Sequence, residues 1–130
     1  MDNKPAALLA ANPIGKVPVI VHHTADKDYA ISECAAICAY LAEVHPKAEL
    51  LPTHDERADY IRWMFFAAGP VEAAITAKAL GYEPPPEKQG MAGFGSVTRT
   101  LDMLEGHLKT HAFVCGDRFT MADVYVGSQV

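Results

Sequence analysis

Two short segments of the 130-residue chain combine residue types that suit ligand binding. The first, Gly15-Lys16-Val17-Pro18, enters a β-branched run at residues 17–21. A proline at such a point suits a cis peptide bond, which would turn the backbone and present the N–H and C=O groups of Val17 outward. An extended peptide could then pair with Val17 as an added strand. The alternative is a trans proline that only marks a strand edge.

The second segment, Ser32-Glu33-Cys34, follows a short predicted strand and begins a helix. Free N–H groups and the positive end of a helix dipole attract a carboxylate, and Glu33 could accept a hydrogen bond from a ligand ammonium. A γ-glutamyl group, which carries both charges, fits this pair. The alternative is an ordinary helix start, in which Ser32 caps the helix, Glu33 complements the dipole and no ligand binds.

Histidine spacing gives an incomplete hint of metal chemistry. His107 and His111 stand four residues apart on a predicted helix, and His22 and His23 are adjacent. Neither pair has a third ligand at a suitable spacing. The sequence therefore predicts exposed histidines and no metal site.

The elements that would position the two segments form a hairpin followed by a helix. Residues 17–21 and 29–31 are predicted strands, joined by a polar turn. Apolar residues recur at helical spacing from residue 32 or 33 to about residue 45, and Pro46 stops that helix. Residues 47–54 are predicted to form a linker.

Helical patterns fill the remainder of the chain. The strongest covers residues 55–80, with a kink predicted at Gly69-Pro70, and another covers residues 91–109. Thr120 and Asp123 form a capping-box pattern that begins a last helix. The fold class is therefore α+β and mostly α, with one domain at residues 1–46 and an all-helical domain at residues 52–130. Because the sheet is small and the last helix short, we expect a chain truncated at both ends.

Composition narrows the function class. The chain has 11 Lys and Arg residues against 16 Asp and Glu, a net charge of −5, which argues against nucleic-acid binding. No apolar run is long enough to span a membrane and no secretory signal is evident, so we expect a cytoplasmic protein without a membrane partner. Cys34, Cys38 and Cys115 lack zinc-ligand spacing and are predicted to be free thiols.

Taken together, the two segments resemble a known family. The run NPIGKVPVIV (residues 12–21), followed at one hairpin's distance by ISECAAICAYL (residues 31–41), is similar to the thioredoxin-like half of the cytosolic glutathione S-transferases. RADYIRWMFF (residues 57–66) and GDRFTMADVYV (residues 116–126) resemble the all-helical second domain of that family. The resemblance spans nearly the whole chain. It implies a partial thioredoxin-like domain, made of a hairpin and a helix, followed by a helical domain.

The resemblance also implies a set of glutathione-binding residues. Val17 and Pro18 would form the backbone clamp for the cysteinyl unit of glutathione, and Glu33 with Cys34 would hold its γ-glutamyl group. Lys16 lies where several classes of the family place a basic contact to the glycyl carboxylate. Cys34 stands where the family usually has serine, and a thiol is a weaker hydrogen-bond partner than a hydroxyl.

The function implied by the resemblance is the transfer of glutathione, as co-substrate and without a cofactor, to small electrophiles. Met64, Phe65 and Phe66 would line the electrophile pocket, although a helical aromatic stripe equally fits a core. The catalytic Tyr, Ser or Cys of the family has no counterpart in the chain. We therefore expect activity and homodimer formation in the intact parent protein. The alternative function is a non-catalytic glutathione-binding or protein-interaction module.

Overall fold

The computed structural model describes residues 4–130, which contain one β-hairpin and six α-helices. In chain order the elements are α1 (Ala6–Ala11), β1 (Val19–His23), β2 (Asp28–Ser32), α2 (Cys34–Val44), α3 (Arg57–Phe66), α4 (Glu72–Ala79), α5 (Val97–Leu108) and α6 (Met121–Gln129). Short 3-10 turns lie at Pro46–Ala48 and Pro86–Lys88. The first three residues of the predicted domain at residues 1–46 lie outside the described part.

The predicted hairpin is present, with its first strand displaced along the chain. β1 and β2 pair antiparallel, with Val19 opposite Ser32. The sequence predicts the first strand at residues 17–21, but β1 begins at Val19. Pro18 has no N–H to donate to a strand ladder, so regular pairing starts only after it.

The predicted helix at residues 55–80 is divided into α3 and α4 by a π-helical turn at Ala67–Val71. Gly69 and Pro70 lie within this turn. A proline inside a helix removes one backbone donor and crowds the preceding turn, and the wider π turn accommodates that break. Val71 is fully buried, so the turn is also a packed part of the core.

The last two helices start where side-chain caps satisfy their free amides. Ser96 caps α5 by accepting a hydrogen bond from the N–H of Arg99, at 3.1 Å. The prediction that this helix begins near residue 91 is wrong, because Gly95 has a φ of +67° that ends the preceding turn. The capping box predicted for α6 is confirmed, since Asp123 accepts from the backbone N–H of Thr120 at 2.8 Å.

Helices α2, α3 and α6 enclose the main core. Trp63 of α3 and Tyr125 of α6 are among the largest fully buried side chains. Trp63 meets Phe66 edge-on, with ring centroids 5.5 Å apart. Cys34 and Cys38 of α2 pack against the same core. Burial of apolar surface therefore holds the helix that follows the hairpin against the helical part of the chain.

Arg118 forms hydrogen bonds that hold the linker between α2 and α3 in place. Its guanidinium donates to both carboxylate oxygens of Glu56, at 2.7 and 3.3 Å. It also donates to the carbonyl oxygens of Glu49 and Leu51, at 2.9 and 2.6 Å. Bidentate guanidinium–carboxylate pairs are strong because both hydrogen bonds are charge-assisted. The linker predicted at residues 47–54 is thus fixed to the segment before α6, which sets the position of α2 relative to the helical part.

No helix within residues 4–130 has both the length and the apolar character needed to cross a membrane.

Candidate functional site

The five residues predicted to bind glutathione lie together at one cleft of about 590 Å³, here called the main cleft. They are Lys16, Val17, Pro18, Glu33 and Cys34. The other lining residues are Asn12, Ile14 and Ala35 on the same side, and Ala68, Glu72, Tyr125 and Gln129 on the helical side. The volume lies within the range of about 300 to 1,000 Å³ that is usual for small-molecule sites.

Asn12 shapes the loop that carries Lys16 to the main cleft. Its side-chain amide donates to the carbonyl oxygen of Lys16 at 2.9 Å, and its side-chain oxygen accepts from the N–H of Ile14 at 3.3 Å. Gly15 follows with a φ of +67°, and a Cβ atom there would lie 2.6 Å from the Lys4 side chain. Asn12 and Gly15 therefore fix the direction in which the chain enters Val17. An Asn-Pro pair often builds such a turn.

Val17 presents free backbone groups at the main cleft. The Val17-Pro18 peptide bond is cis, so of the two forms considered from the sequence the structure has the cis form. Val17 is 75% exposed. Its N–H and C=O hydrogen-bond to no other group within residues 4–130. An extended ligand has access to both groups.

Glu33 connects β2 to α2 in an uncommon backbone conformation. Its φ of 70° is rare for a residue with a side chain, and strain of this kind is frequent at functional sites. Glu33 is the N-cap residue of α2, yet no side chain caps this helix start. Ser32 belongs to β2, so the alternative in which Ser32 caps the helix is wrong. The exposed Glu33 carboxylate and the first amides of α2 stand together at the main cleft.

Cys34 is half-buried, with one side on the main cleft and one side on the core. Cys38, one turn further along α2, also packs on the core. Burial, followed by the proximity of Cys34, raises the pKa of Cys38 to about 11, so its thiol is neutral near pH 7. Cys34, Cys38 and Cys115 are all free thiols, as predicted.

The helical side of the main cleft supplies an acid and a phenol that are not among the residues predicted from the sequence. Glu72 is exposed at the start of α4, and Tyr125 of α6 is only 1% exposed. Burial raises the pKa of Tyr125 to about 12, with smaller contributions from the charges of Glu72 and Cys34. The hydroxyl is therefore neutral near pH 7. Fifty-three residues separate Glu72 from Tyr125, so no local pattern could have paired them.

None of the three residues predicted for the electrophile pocket lines the main cleft itself. Met64 and Phe65 line an apolar cavity of about 430 Å³ between α2 and α3, which shares Glu33, Ala35 and Ala68 with the main cleft. Met64 is buried, whereas Phe65 is 73% exposed. Phe66 lies on neither cavity and packs against Trp63. Phe66 therefore fits the core alternative, whereas Met64 belongs both to the core and to this cavity.

A groove along α4 adjoins the main cleft directly. It measures about 680 Å³ and shares Glu33, Ala68 and Glu72 with the main cleft. Thr76 and Tyr82 continue it away from the hairpin. Ala68, Glu72 and Thr76 recur every four residues, which places them on one face of the π turn and α4.

The histidines make local contacts. His107 is half-buried and shares a hydrogen bond with the carbonyl oxygen of Val114 at 3.0 Å, and its ring stacks on that of His111. His22 shares a hydrogen bond with the hydroxyl of Tyr40 at 2.7 Å. The prediction of exposed histidines is therefore wrong for His22 and His107. Residues 4–130 contain no group of three or more His, Cys, Asp or Glu side chains placed to hold a metal ion.

Comparison with known protein families decides the family. Residues 1–44 match the family model described as "Glutathione S-transferase, N-terminal domain", and residues 72–130 match "Glutathione S-transferase, C-terminal domain". The chain belongs to the glutathione S-transferase family. The two matches confirm the family and the fold class predicted from the sequence. The exact domain limits at residues 46 and 52 stay predictions.

Individual glutathione S-transferases and related proteins are similar over nearly the whole chain. Glutathione S-transferase 1 of Schizosaccharomyces pombe is 30% identical, over 95% of this chain and 56% of its own length. Probable elongation factor 1-gamma 1 of Arabidopsis thaliana is 28% identical, over 95% of this chain and 30% of its own length. A glutathione transferase family member from Pseudomonas fluorescens, solved with two glutathione bound, aligns with a TM-score of 0.71 and 26% identity over 96% of this chain and 58% of that one. The chain thus spans about half, or less, of these proteins.

Proposed function

We propose that this chain forms the glutathione-binding cleft of an enzyme that joins the thiolate of glutathione to small electrophiles. The observation that supports this most is the meeting of Lys16, Val17, Pro18, Glu33 and Cys34 at one cleft of suitable volume. Along the chain, Lys16, Val17 and Glu33 follow the order of the glycyl carboxylate, the cysteinyl unit and the γ-glutamyl ammonium in an extended glutathione. The solved relative from Pseudomonas fluorescens holds glutathione, which supports the same ligand here.

Glutathione would lie along the edge formed by Val17. Its cysteinyl unit would pair with the free N–H and C=O of Val17 as an added strand. The ammonium of Lys16 would attract the glycyl carboxylate, and Glu33 would accept hydrogen bonds from the γ-glutamyl ammonium. Cys34 fills the place of a hydroxyl and adds a weak hydrogen-bond group. These contacts would direct the sulfur of glutathione towards the helical side of the main cleft.

The electrophile would bind in the groove along α4. That groove shares Glu33, Ala68 and Glu72 with the main cleft. The apolar cavity lined by Met64 and Phe65 also adjoins the main cleft, through Glu33, Ala35 and Ala68. A compound bound between Thr76 and Tyr82 would have direct access to the sulfur of glutathione. The cavity lined by Met64 and Phe65 is the alternative position for the electrophile, as predicted from the sequence.

Binding of glutathione to the purified chain tests the first part of the proposal. Isothermal titration calorimetry should show saturable binding, and Glu33→Ala should weaken it by at least tenfold, because an ammonium would lose its charged partner. The matched control is Glu87→Ala, which removes a carboxylate from an exposed turn outside the main cleft. Equal affinities in the native chain and the Glu33→Ala variant would contradict the proposed role of Glu33.

A non-catalytic glutathione-binding or protein-interaction module is the second candidate function. The similarity to an elongation factor 1-gamma favours it, because that protein's name describes no transferase. The two candidates differ in turnover. An aryl halide conjugated by the intact protein, at a rate above that of glutathione alone, would support the enzyme, whereas glutathione binding without any conjugation would support the module.

We also propose that the intact protein is a homodimer. Phe65 and Ile61 of α3 are 73% and 50% exposed beside the apolar cavity between α2 and α3. Two copies that meet at this face would remove both side chains from water. Sedimentation velocity should then show a dimer, and Phe65→Ser should shift it towards monomer. A monomeric native protein at micromolar concentration would contradict this proposal.

A cytoplasmic location is the last part of the proposal. It is supported by the free state of Cys34, Cys38 and Cys115, since thiols persist in a reducing compartment. Cell fractionation should recover the protein with soluble cytoplasmic markers. Recovery with a secreted or membrane fraction would contradict it.

A further inference from the structure

A pocket between α2, the linker and the start of α3, here called the linker pocket, lies apart from the main cleft. It measures about 340 Å³, and in the described part of the chain none of its lining residues lines the main cleft. Four aliphatic residues form part of its wall, namely Ala39, Leu51, Pro52 and Ile61. The volume is at the lower end of the range of about 300 to 1,000 Å³ that is usual for small-molecule sites.

The linker wall of this pocket is held in place by hydrogen bonds on both sides of Pro52. Arg118 donates to the carbonyl oxygen of Leu51 at 2.6 Å. The backbone N–H of Thr53 donates to the carboxylate of Glu56 at 2.8 Å. The linker pocket is therefore preformed, and a ligand binds there without first having to order the linker.

Two opposite charges line the linker pocket without meeting each other. Glu43 belongs to α2 and Arg57 begins α3, and both side chains are exposed. Neither takes part in an ion pair within residues 4–130. A molecule that carries both an anionic and a cationic group would give each of these charges a partner.

Tyr60 is the second observation at this pocket, and it is independent of the two charges. Its side chain is only 8% exposed, and its hydroxyl is buried without a hydrogen-bond partner among residues 4–130. Buried hydroxyls normally have a partner. Burial, followed by the charges of Cys38, Cys115 and Glu43, raises the pKa of Tyr60, so its O–H stays a neutral donor. Tyr60 follows Arg57 by three residues and lies on the same face of α3, which points to one anionic acceptor for both groups.

We propose that the linker pocket binds a free α-amino acid with a branched aliphatic side chain. The carboxylate of the amino acid pairs with the guanidinium of Arg57 and accepts a hydrogen bond from the Tyr60 hydroxyl. Its ammonium pairs with Glu43, and its side chain packs against Leu51 and Ile61. A simple carboxylate or a simple amine satisfies only one of the two protein charges, so the zwitterion is the preferred ligand. This site does not depend on the proposed binding of glutathione.

An NMR titration of the 130-residue chain near pH 7 tests the choice of ligand. The probes are L-leucine, 4-methylpentanoate, which lacks the ammonium, and 3-methylbutylamine, which lacks the carboxylate. L-Leucine should cause saturable shifts at the backbone amides of Tyr60 and Ile61 and should bind more tightly than either analogue. Saturating glutathione should leave this binding unchanged, because the linker pocket and the main cleft share no lining residue.

Substitutions of the three polar residues test their separate roles. Arg57→Gln should weaken L-leucine and 4-methylpentanoate about threefold and leave 3-methylbutylamine unchanged. Glu43→Gln should weaken L-leucine and 3-methylbutylamine about threefold and leave 4-methylpentanoate unchanged. Tyr60→Phe should weaken the two ligands that have a carboxylate about fivefold, because a hydrogen bond to a charged group is lost.

The matched controls are a carboxylate and a guanidinium outside the linker pocket. Glu87→Gln and Arg99→Gln should leave all three affinities unchanged, and thermal melting should show that every variant folds. Absence of saturable L-leucine binding, or an unchanged L-leucine affinity in either Arg57→Gln or Glu43→Gln, would overturn the inference. Displacement of L-leucine by glutathione would also overturn it, because the amino acid would then occupy the main cleft. None of these results decides whether the main cleft binds glutathione, so the proposed function is tested separately.

Discussion

Replacing Glu56 with glutamine should destabilise the fold at neutral pH by breaking the contact that fastens the linker. Hydrogen bonds from Arg118, and then one from the backbone N–H of Thr53, lower the pKa of Glu56 from its ordinary value of 4.5 to about 2. The Thr53 bond measures 2.8 Å. The carboxylate is thus stabilised in its charged form, and the folded state gains free energy from it.

The size of the effect follows from that pKa. A shift of this magnitude corresponds to about 3 kcal/mol at about 1.4 kcal/mol per pKa unit. The Arg118 side chain remains 39% exposed, so solvent screening reduces the gain to about 1 to 2 kcal/mol. Because the folded pKa is depressed, the gain is complete above pH 4.5 and is lost as pH falls towards 2.

Urea unfolding at pH 7 and pH 3 measures this difference. Trp63 is the single tryptophan and is fully buried, so its fluorescence reports global unfolding. The native chain should exceed Glu56→Gln in stability at pH 7, and the gap should narrow at pH 3. Glu105→Gln, which breaks an exposed pair with Lys109, is the matched control and should leave the curve unchanged. A Glu56→Gln curve identical to the native one at pH 7, or a gap that stays constant with pH, would refute the reasoning.

Three further substitutions test the helical core by chemical unfolding. Asp123→Ala should cost about 2 to 3 kcal/mol, because the N–H groups of Thr120 and Val114 both lose their acceptor; a loss below about 0.5 kcal/mol would contradict the capping role. Tyr60→Phe should be neutral or slightly stabilising, because it removes a buried hydroxyl that has no partner within residues 4–130; strong destabilisation would reveal a hidden partner. Trp63→Ala should cost about 3 to 5 kcal/mol of unfolding free energy. Because this variant lacks the single tryptophan, its unfolding is measured by circular dichroism. A smaller loss would show that the core collapses into the space left by the ring.

The sequence predicted the elements whose causes are local. The capping box of α6 needs only Thr120 and Asp123, three residues apart. The hairpin needs only a polar turn between a β-branched run and a second short strand. The sequence also predicts an irregularity at Gly69-Pro70, and in the structure it takes the form of a π turn. The predicted start of α5, near residue 91, is too early because helix-favouring residues already appear there. In the structure Gly95 ends the preceding turn and Ser96 caps the helix.

The candidate site likewise has one part that a local sequence motif predicts and one part that depends on distant contacts. Lys16 to Pro18 and Glu33 to Cys34 lie in two segments joined by one hairpin, so a sequence motif could bring them together. Tyr125 reaches the main cleft because α6 packs against α2, and Glu72 reaches it because the π turn before α4 packs against α6; both depend on contacts between distant parts of the chain. The aromatic stripe on α3 predicts one apolar face, but its period does not show which neighbour covers that face, so the electrophile pocket stays a prediction.

An NMR titration with glutathione, followed through the backbone amides, tests the central claim most directly. The account predicts saturable shifts at the amides of Val17, Cys34 and Ala35, which line the main cleft, with no change at Asp102 on the exposed side of α5. Val17 is the decisive position, because its free N–H is the proposed partner of the cysteinyl unit. An unchanged Val17 amide at saturating glutathione, or shifts confined to Ile61 and its neighbours on α3, would contradict the claim that the main cleft binds glutathione.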